Sequence, residues 1–143
     1  MIVSLAKQGV GTTTIPAITI LTGANQGRVK LLEVGIFITA ATGSDFGLGR
    51  PAAVGITPTT PVDFLPEDPN DVMPTGTVQT ATAWGTGPTV PANFLRRVQL
   101  PAQVGAGVIW TFPKGIVIPA SGNLVLWNTG ATAIANIYFV CDV

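Results

Sequence analysis

The side chains able to do chemistry in this sequence are few, and the missing ones decide more than those present. Histidine does not occur in the 143 residues. Ser-His-Asp and Cys-His nucleophile activation both need an imidazole, and so do most catalytic zinc and iron sites. Seven carboxylates remain. A two-carboxylate glycosidase would need Glu33 to pair with Glu67 or with an Asp. Glu67 lies among prolines, however, and Glu33 falls inside a strand pattern where Arg96 or Arg97 is expected to neutralise it. Glu67, Asp68, Asn70 and Asp71 offer oxygen ligands of the calcium type, but at a spacing that matches no EF-hand loop. A solvated acidic turn broken by Pro69 is expected there.

The other candidates resolve in the same direction. Gly47-Leu48-Gly49-Arg50 lacks the full glycine fingerprint of a phosphate loop and runs straight into Pro51, so it reads as a turn between strands. Cys141 is the only cysteine and can form no intrachain disulfide. Its neighbours Tyr138, Phe139 and Val140 make it a small buried hydrophobe rather than a reactive thiol. Trp84, Trp110 and Trp127 could stack sugar rings. Trp110 and Trp127 lie within apolar strand patterns and read as core or subunit interface, which leaves Trp84, between Ala83 and Gly85, as the exposed one. No catalytic residue, metal ligand or cofactor site is expected, and the chain is expected not to be an enzyme.

The elements that would position such residues are strands almost everywhere. Val108, Trp110 and Phe112 fall on one face of a two-residue beat, with Ile109 and Thr111 on the other. From 133 to 141 the odd positions are all apolar. Leu124 to Trp127 is apolar on both faces, so it must be covered twice, by its own sandwich and by a neighbouring subunit. In the strand over 29–40, Leu32, Val34, Ile36 and Ile38 are expected to face the core and Glu33, Gly35 and Thr39 to face away. The β-branched run and Gly35 oppose a helix there. Weaker strands are expected over 2–6, 15–21, 52–56, 77–84 and 94–100, with a Gly-rich turn at 23–27. Eight or nine short strands, 17 Gly, 12 Pro and no amphipathic helix predict an all-β antiparallel two-sheet sandwich, jelly-roll-like, of about eight strands.

One stretch breaks the rhythm. Residues 57–76 hold Pro58, Pro61, Pro66, Pro69 and Pro74, which forbid a continuous ladder. An excursion this long is unusual unless it has work to do. Phe64, Leu65, Val72 and Met73 suggest docking, either on another surface or over the chain's own end of the sandwich. The length suits one domain over residues 1–143, with an N-terminal arm over 1–14 and this Pro-rich loop.

Composition bounds the partners. Only 10% of residues are charged, and seven Lys and Arg cancel seven Asp and Glu. Such a chain has no long-range field to gather nucleic acid or anionic lipid, and its cations are dispersed along the sequence without forming a basic stripe. With 47% hydrophobic residues and zero net charge, self-association is expected. Residues 115–141 are uncharged, but Pro119, Gly122, Asn123, Asn128, Gly130 and Asn136 interrupt them, so no membrane span is expected. The start, with Lys7 following a very short apolar stretch, is the reverse of a secretory signal.

The segments LLEVGIFITAATGSDFGLGRPAAVGI, FLRRVQLPAQVGAGVIWTFPKGIVIPA and SGNLVLWNTGATAIANIYFVCDV resemble small proteins encoded among tailed-phage and prophage structural genes. The nearest functional analogy is to jelly-roll capsid decoration, or cement, proteins. That resemblance implies a virion protein on the outer surface of the head, made in the host cytoplasm. It would sit as a homo-oligomer, a trimer favoured, and clamp the major capsid protein. Either the 1–14 arm or the 57–76 loop would grip the shell. The rival within the same setting is a tail or baseplate sandwich module that touches host glycans through Trp84.

Overall fold

Hydrophobic alternation and frequent Gly and Pro leave the chain no route to a helix, and the computed structural model, which describes residues 1–12 and 16–143, contains none among them. Five strands form one sheet in the order β11 (Gly107–Ile118), β3 (Val29–Ile38), β13 (Ala133–Asp142), β1 (Ile2–Gly11) and β7 (Leu65–Pro66). Six form the other: β10 (Arg96–Leu100), β4 (Ser44–Gly49), β12 (Asn123–Asn128), β2 (Ile18–Thr22), β8 (Val78–Ala81) and β6 (Val62–Asp63). A small ribbon pairs β5 (Ile56–Pro58) with β9 (Trp84–Thr86). All pairings are antiparallel.

With the excursion between β4 and β10 set aside, eight strands remain, in the orders β11-β3-β13-β1 and β10-β4-β12-β2. That is the interleaving of a jelly roll, in which the chain crosses between sheets at nearly every connection. The strand total exceeds eight because β5 to β9 all lie inside that one excursion.

The core lies between the sheets. Val34, Ile36 and Ile38 from β3 meet Leu124 and Leu126 from β12 and Phe46 and Leu48 from β4, all buried. In β13 the odd positions Ala133, Ala135, Ile137, Phe139 and Cys141 are buried, as their two-residue beat requires. In β3 the beat breaks: Leu31, not Leu32, is in the core. Between Val140 and Cys141 the partner register jumps from Glu33 to Leu31, a bulge that reverses the side-chain parity.

Three further expectations change. Residues 2–11 are no free arm: β1 pairs with β13 along ten residues and with β7 at Val3 and Ser4. Its inward Val3 is fully buried, and the apolar face of β13 would stand open without it. Residues 13–14 of the expected arm, and Ile15 of the expected second strand, lie outside the described residues. Residues 52–55 are not strand, and only Ile56–Pro58 pairs, with β9. Residues 47–49 of the supposed turn at 47–50 are instead the end of β4, a central strand. A Cβ at Gly47 would lie 2.7 Å from the Phe94 ring and one at Gly49 3.1 Å from it. These glycines admit a side chain laid flat on the sheet.

The Pro-rich loop is stitched down in short pieces. Phe64 is buried and stacks on Phe139 at 6.4 Å, so it docks on its own core. The Asp63 carboxylate accepts from the Gly76 backbone N–H and from Gln79 Nε2, both at 2.9 Å. Asp63→Ala leaves both donors unpaired and is expected to cost about 1–2 kcal/mol. Urea unfolding measures that loss, and limited proteolysis should show faster cleavage within 65–76.

Candidate functional site

The two outer faces of the sandwich differ. Outside the six-stranded sheet, Val125 and Trp127 of β12 are fully buried although they point away from the core. The expectation that a neighbouring subunit covers them is corrected here, because the chain covers itself. Phe94 meets Trp127 edge-on at 5.9 Å and lies over Gly47 and Gly49, with Pro91 also against Gly49. The segment leading into β10 is therefore a lid on this face.

Among the described residues, the five-stranded sheet has no such lid. Its outward rows include Ile109, Gly35, Tyr138 and Ala6 side by side, and Gly107, Phe37, Asn136 and Gln8 in the next. Ile2, Val10, Ile109 and Ile134 are exposed, Ile109 by 52%. The Tyr138 ring covers Gly35, whose Cβ would fall on it. The Tyr138 hydroxyl donates to Glu33 Oε1 at 2.6 Å. Its pKa is pushed up to about 12, first by that hydrogen bond, then by desolvation and the nearby carboxylate charge.

Glu33 is thus answered by a phenol, and the expected arginine partner is absent. Arg97 binds Asp45 at 2.8 Å, and Arg96 lies over the Phe112 ring at 5.3 Å. Nor does Glu33 meet Glu67. Glu33 is on β3 and Glu67 just beyond β7, three strand spacings away, on the order of 14 Å, whereas paired glycosidase carboxylates sit roughly 5–9.5 Å apart. In the acidic turn, Asp68 Oδ1 accepts from the backbone N–H and Nδ2 of Asn70 at 2.9 and 3.0 Å. Among the described residues, no group of three or more His, Cys, Asp or Glu is placed to hold a metal ion. No helix among them is long and apolar enough to cross a membrane.

The three tryptophans do not share a platform. Trp127 is sealed under Phe94. Trp110 packs partly buried against the core. Trp84, expected to be exposed, is half-buried: its ring lies against Gly55, and its indole nitrogen is buried.

The sheet edge at β11 holds a feature that pattern reading missed. Thr111 pairs with Glu33 and Ile116 with Leu31, so four residues of β11 face one of β3. This wide bulge carries Pro113, Lys114 and Gly115, the last at φ +71°. Depressions open on either side of it. One, about 370 Å³, is lined by Arg96, Lys114, Phe112 and Ile116 among others, and the second, about 330 Å³, includes Glu33 and Val140. A proline and a glycine flanking Lys114 in an otherwise apolar run were the available signal.

Two cations far apart along the sequence, Arg96 and Lys114, line one of these depressions. Arg96 and Arg97 are on β10, Lys114 on β11, and Arg50 donates to the Val117 carbonyl at 2.9 Å. Asp63, Glu67, Asp68 and Asp71 belong to the loop at the opposite edge. In comparisons with known proteins, no family model, no curated protein and no solved structure matches this chain.

Proposed function

We propose that the protein is a structural component of a tailed-phage virion, a decoration protein that binds the outside of the major capsid shell as a homo-oligomer, a trimer favoured, and stabilises it. In this reading it is not an enzyme and needs no cofactor. The observation that carries the reading is the asymmetry of the sandwich among the described residues, with one outer face sealed by its own lid and the other left open, its exposed Ile2, Val10, Ile109 and Ile134 set among polar side chains such as Gln8 and Asn136. Rigid open sheets of this kind suit flat protein surfaces, where many weak contacts add through multivalency. The sequence resemblance to phage structural proteins supplies the partner. Because residues 2–11 are paired with β13 along their whole length, the shell contact falls to the open face rather than to a free arm.

Heads assembled without the protein are expected to release DNA at a lower temperature than decorated ones, and purified protein added back should restore the difference. Ile109→Asp with Ile134→Asp should lower occupancy on heads while leaving the circular dichroism unchanged. Electron microscopy that places the protein on the tail, or heads equally robust without it, would overturn the proposal.

A further inference from the structure

The depression at the β10/β11 edge has an unbalanced lining. Arg96 and Lys114 are both exposed, no carboxylate lines it, and its floor is apolar, with Phe112 and Ile116. The Arg96 guanidinium is spent only on the Leu95 carbonyl and on the face of Phe112 among its described contacts. It is a cationic notch over a greasy floor. The opposite edge is its complement. Glu67, Asp68 and Asp71 are exposed on the turn beyond β7, beside Val72, which at 84% is the most exposed large apolar side chain described. That turn is already shaped: Asp68 holds Asn70, the Asp71 N–H donates to the Asp68 carbonyl at 3.0 Å, and the Glu67 N–H donates to the Ile2 carbonyl at 3.0 Å. A pre-formed turn loses little freedom on docking.

The two features stand at opposite ends of one molecule. β11 and β10 begin their sheets while β7 and β6 end theirs, and Arg96 over Phe112 fixes β10 and β11 on the same side. Zero net charge therefore hides a dipole across the width of the sandwich. Like ends repel and unlike ends attract, so copies prefer to line up head to tail.

We propose that a second copy of this chain docks its acidic turn, with Val72, into the Arg96/Lys114 notch of its neighbour, edge to edge. The contact is heterologous, so it closes a ring when the rotation per copy divides a full turn. It runs sideways to the open sheet face and leaves that face free. It rests on the self-association in the function proposed above, and not on the identity of the shell.

Sedimentation of the full chain at about 0.05 M and about 1 M salt tests it, because the higher salt shrinks the screening length to about 3 Å. The assembly should weaken with salt. Arg96→Glu with Lys114→Glu should weaken it about tenfold or more, and so should Glu67→Lys with Asp71→Lys. The chain carrying all four changes should recover, since its swapped ends match again. If the unaltered chain assembles but neither reversal matters, or if the fourfold chain stays as weak as its halves, the notch is not the contact and oligomerisation itself survives. A monomer at every concentration removes both. Should a reversed chain lose its sheet circular dichroism, the salt titration of the unaltered chain decides alone, and insensitivity to salt overturns the inference.

Discussion

Trp127→Ala is expected to destabilise the protein by about 3–5 kcal/mol, a large share of the roughly 5–15 kcal/mol that holds a domain of this kind folded. Trp127 is fully buried on the outward side of β12, under Phe94. Its removal leaves a cavity that the flanking strands cannot fill, because the neighbouring positions on β4 are Gly47 and Gly49. Phe94 loses its edge-on partner at the same time, so the lid should loosen first, which amide exchange around 88–95 would register. Trp127→Phe is the informative control. It gives up some contact area but also removes an indole N–H that has no hydrogen-bond partner among the described residues. An unsatisfied buried donor costs about 1–3 kcal/mol, so the phenylalanine variant should lose less than about 1.5 kcal/mol. A urea midpoint for Trp127→Ala close to that of the unaltered protein would mean that the lid contributes nothing.

The second large effect concerns Cys141. Its thiol is fully buried on the inward face of β13, and burial pushes its pKa up from 9.0 to about 12. Near pH 8 the thiolate population is then on the order of a thousandfold below that of an unfolded chain, and the labelling rate follows it. Modification by a thiol reagent should be correspondingly slow in buffer and fast in urea. The sign of the pH effect follows from the same shift. The folded pKa is raised, so the stabilisation is fully present below pH 9, where both states hold the proton. Above pH 9 the unfolded thiol ionises and the folded one does not, so stability falls by about 1.4 kcal/mol per pH unit until about pH 12. Cys141→Ala should flatten the profile between pH 9 and 10 and reduce its slope above, where the raised Tyr138 phenol adds a loss of the same sign. Rapid labelling of the native chain, or an unchanged alkaline slope in the variant, would contradict the burial.

Much of the fold was legible because period-two alternation is a local property. The odd positions of β13 and the face of β11 bearing Val108, Trp110 and Phe112 could be read directly, and so could the double-sided burial of β12. Parity failed at Leu31 and Leu32, since a bulge is decided by a partner strand more than a hundred residues away. β4 was hidden because two of its six residues are glycines, which ordinarily mark turns. They belong in a strand only because Phe94 lies flat on them, and that contact is tertiary. The charged notch was invisible for the same reason. Arg96 and Lys114 lie on different strands and line one depression only when β10 and β11 are brought to the same side. Trp84 looked exposed from its small neighbours, yet the turn carrying Gly55 folds against it.

The place of β13 has a cost in time. Residues 133–142 are the middle rung of the five-stranded sheet, bonded to β1 on one side and to β3 on the other. Until they are synthesised, nothing joins the β11-β3 pair to β1 and β7, and the edges of β3 and β1 that β13 fills stand open. Contacts this distant in sequence are slow to form, and a half-made chain with two open strand edges readily sticks to others like it. Yield in a producing cell should therefore depend on how long nascent chains are shielded, and slower synthesis alone should not rescue it.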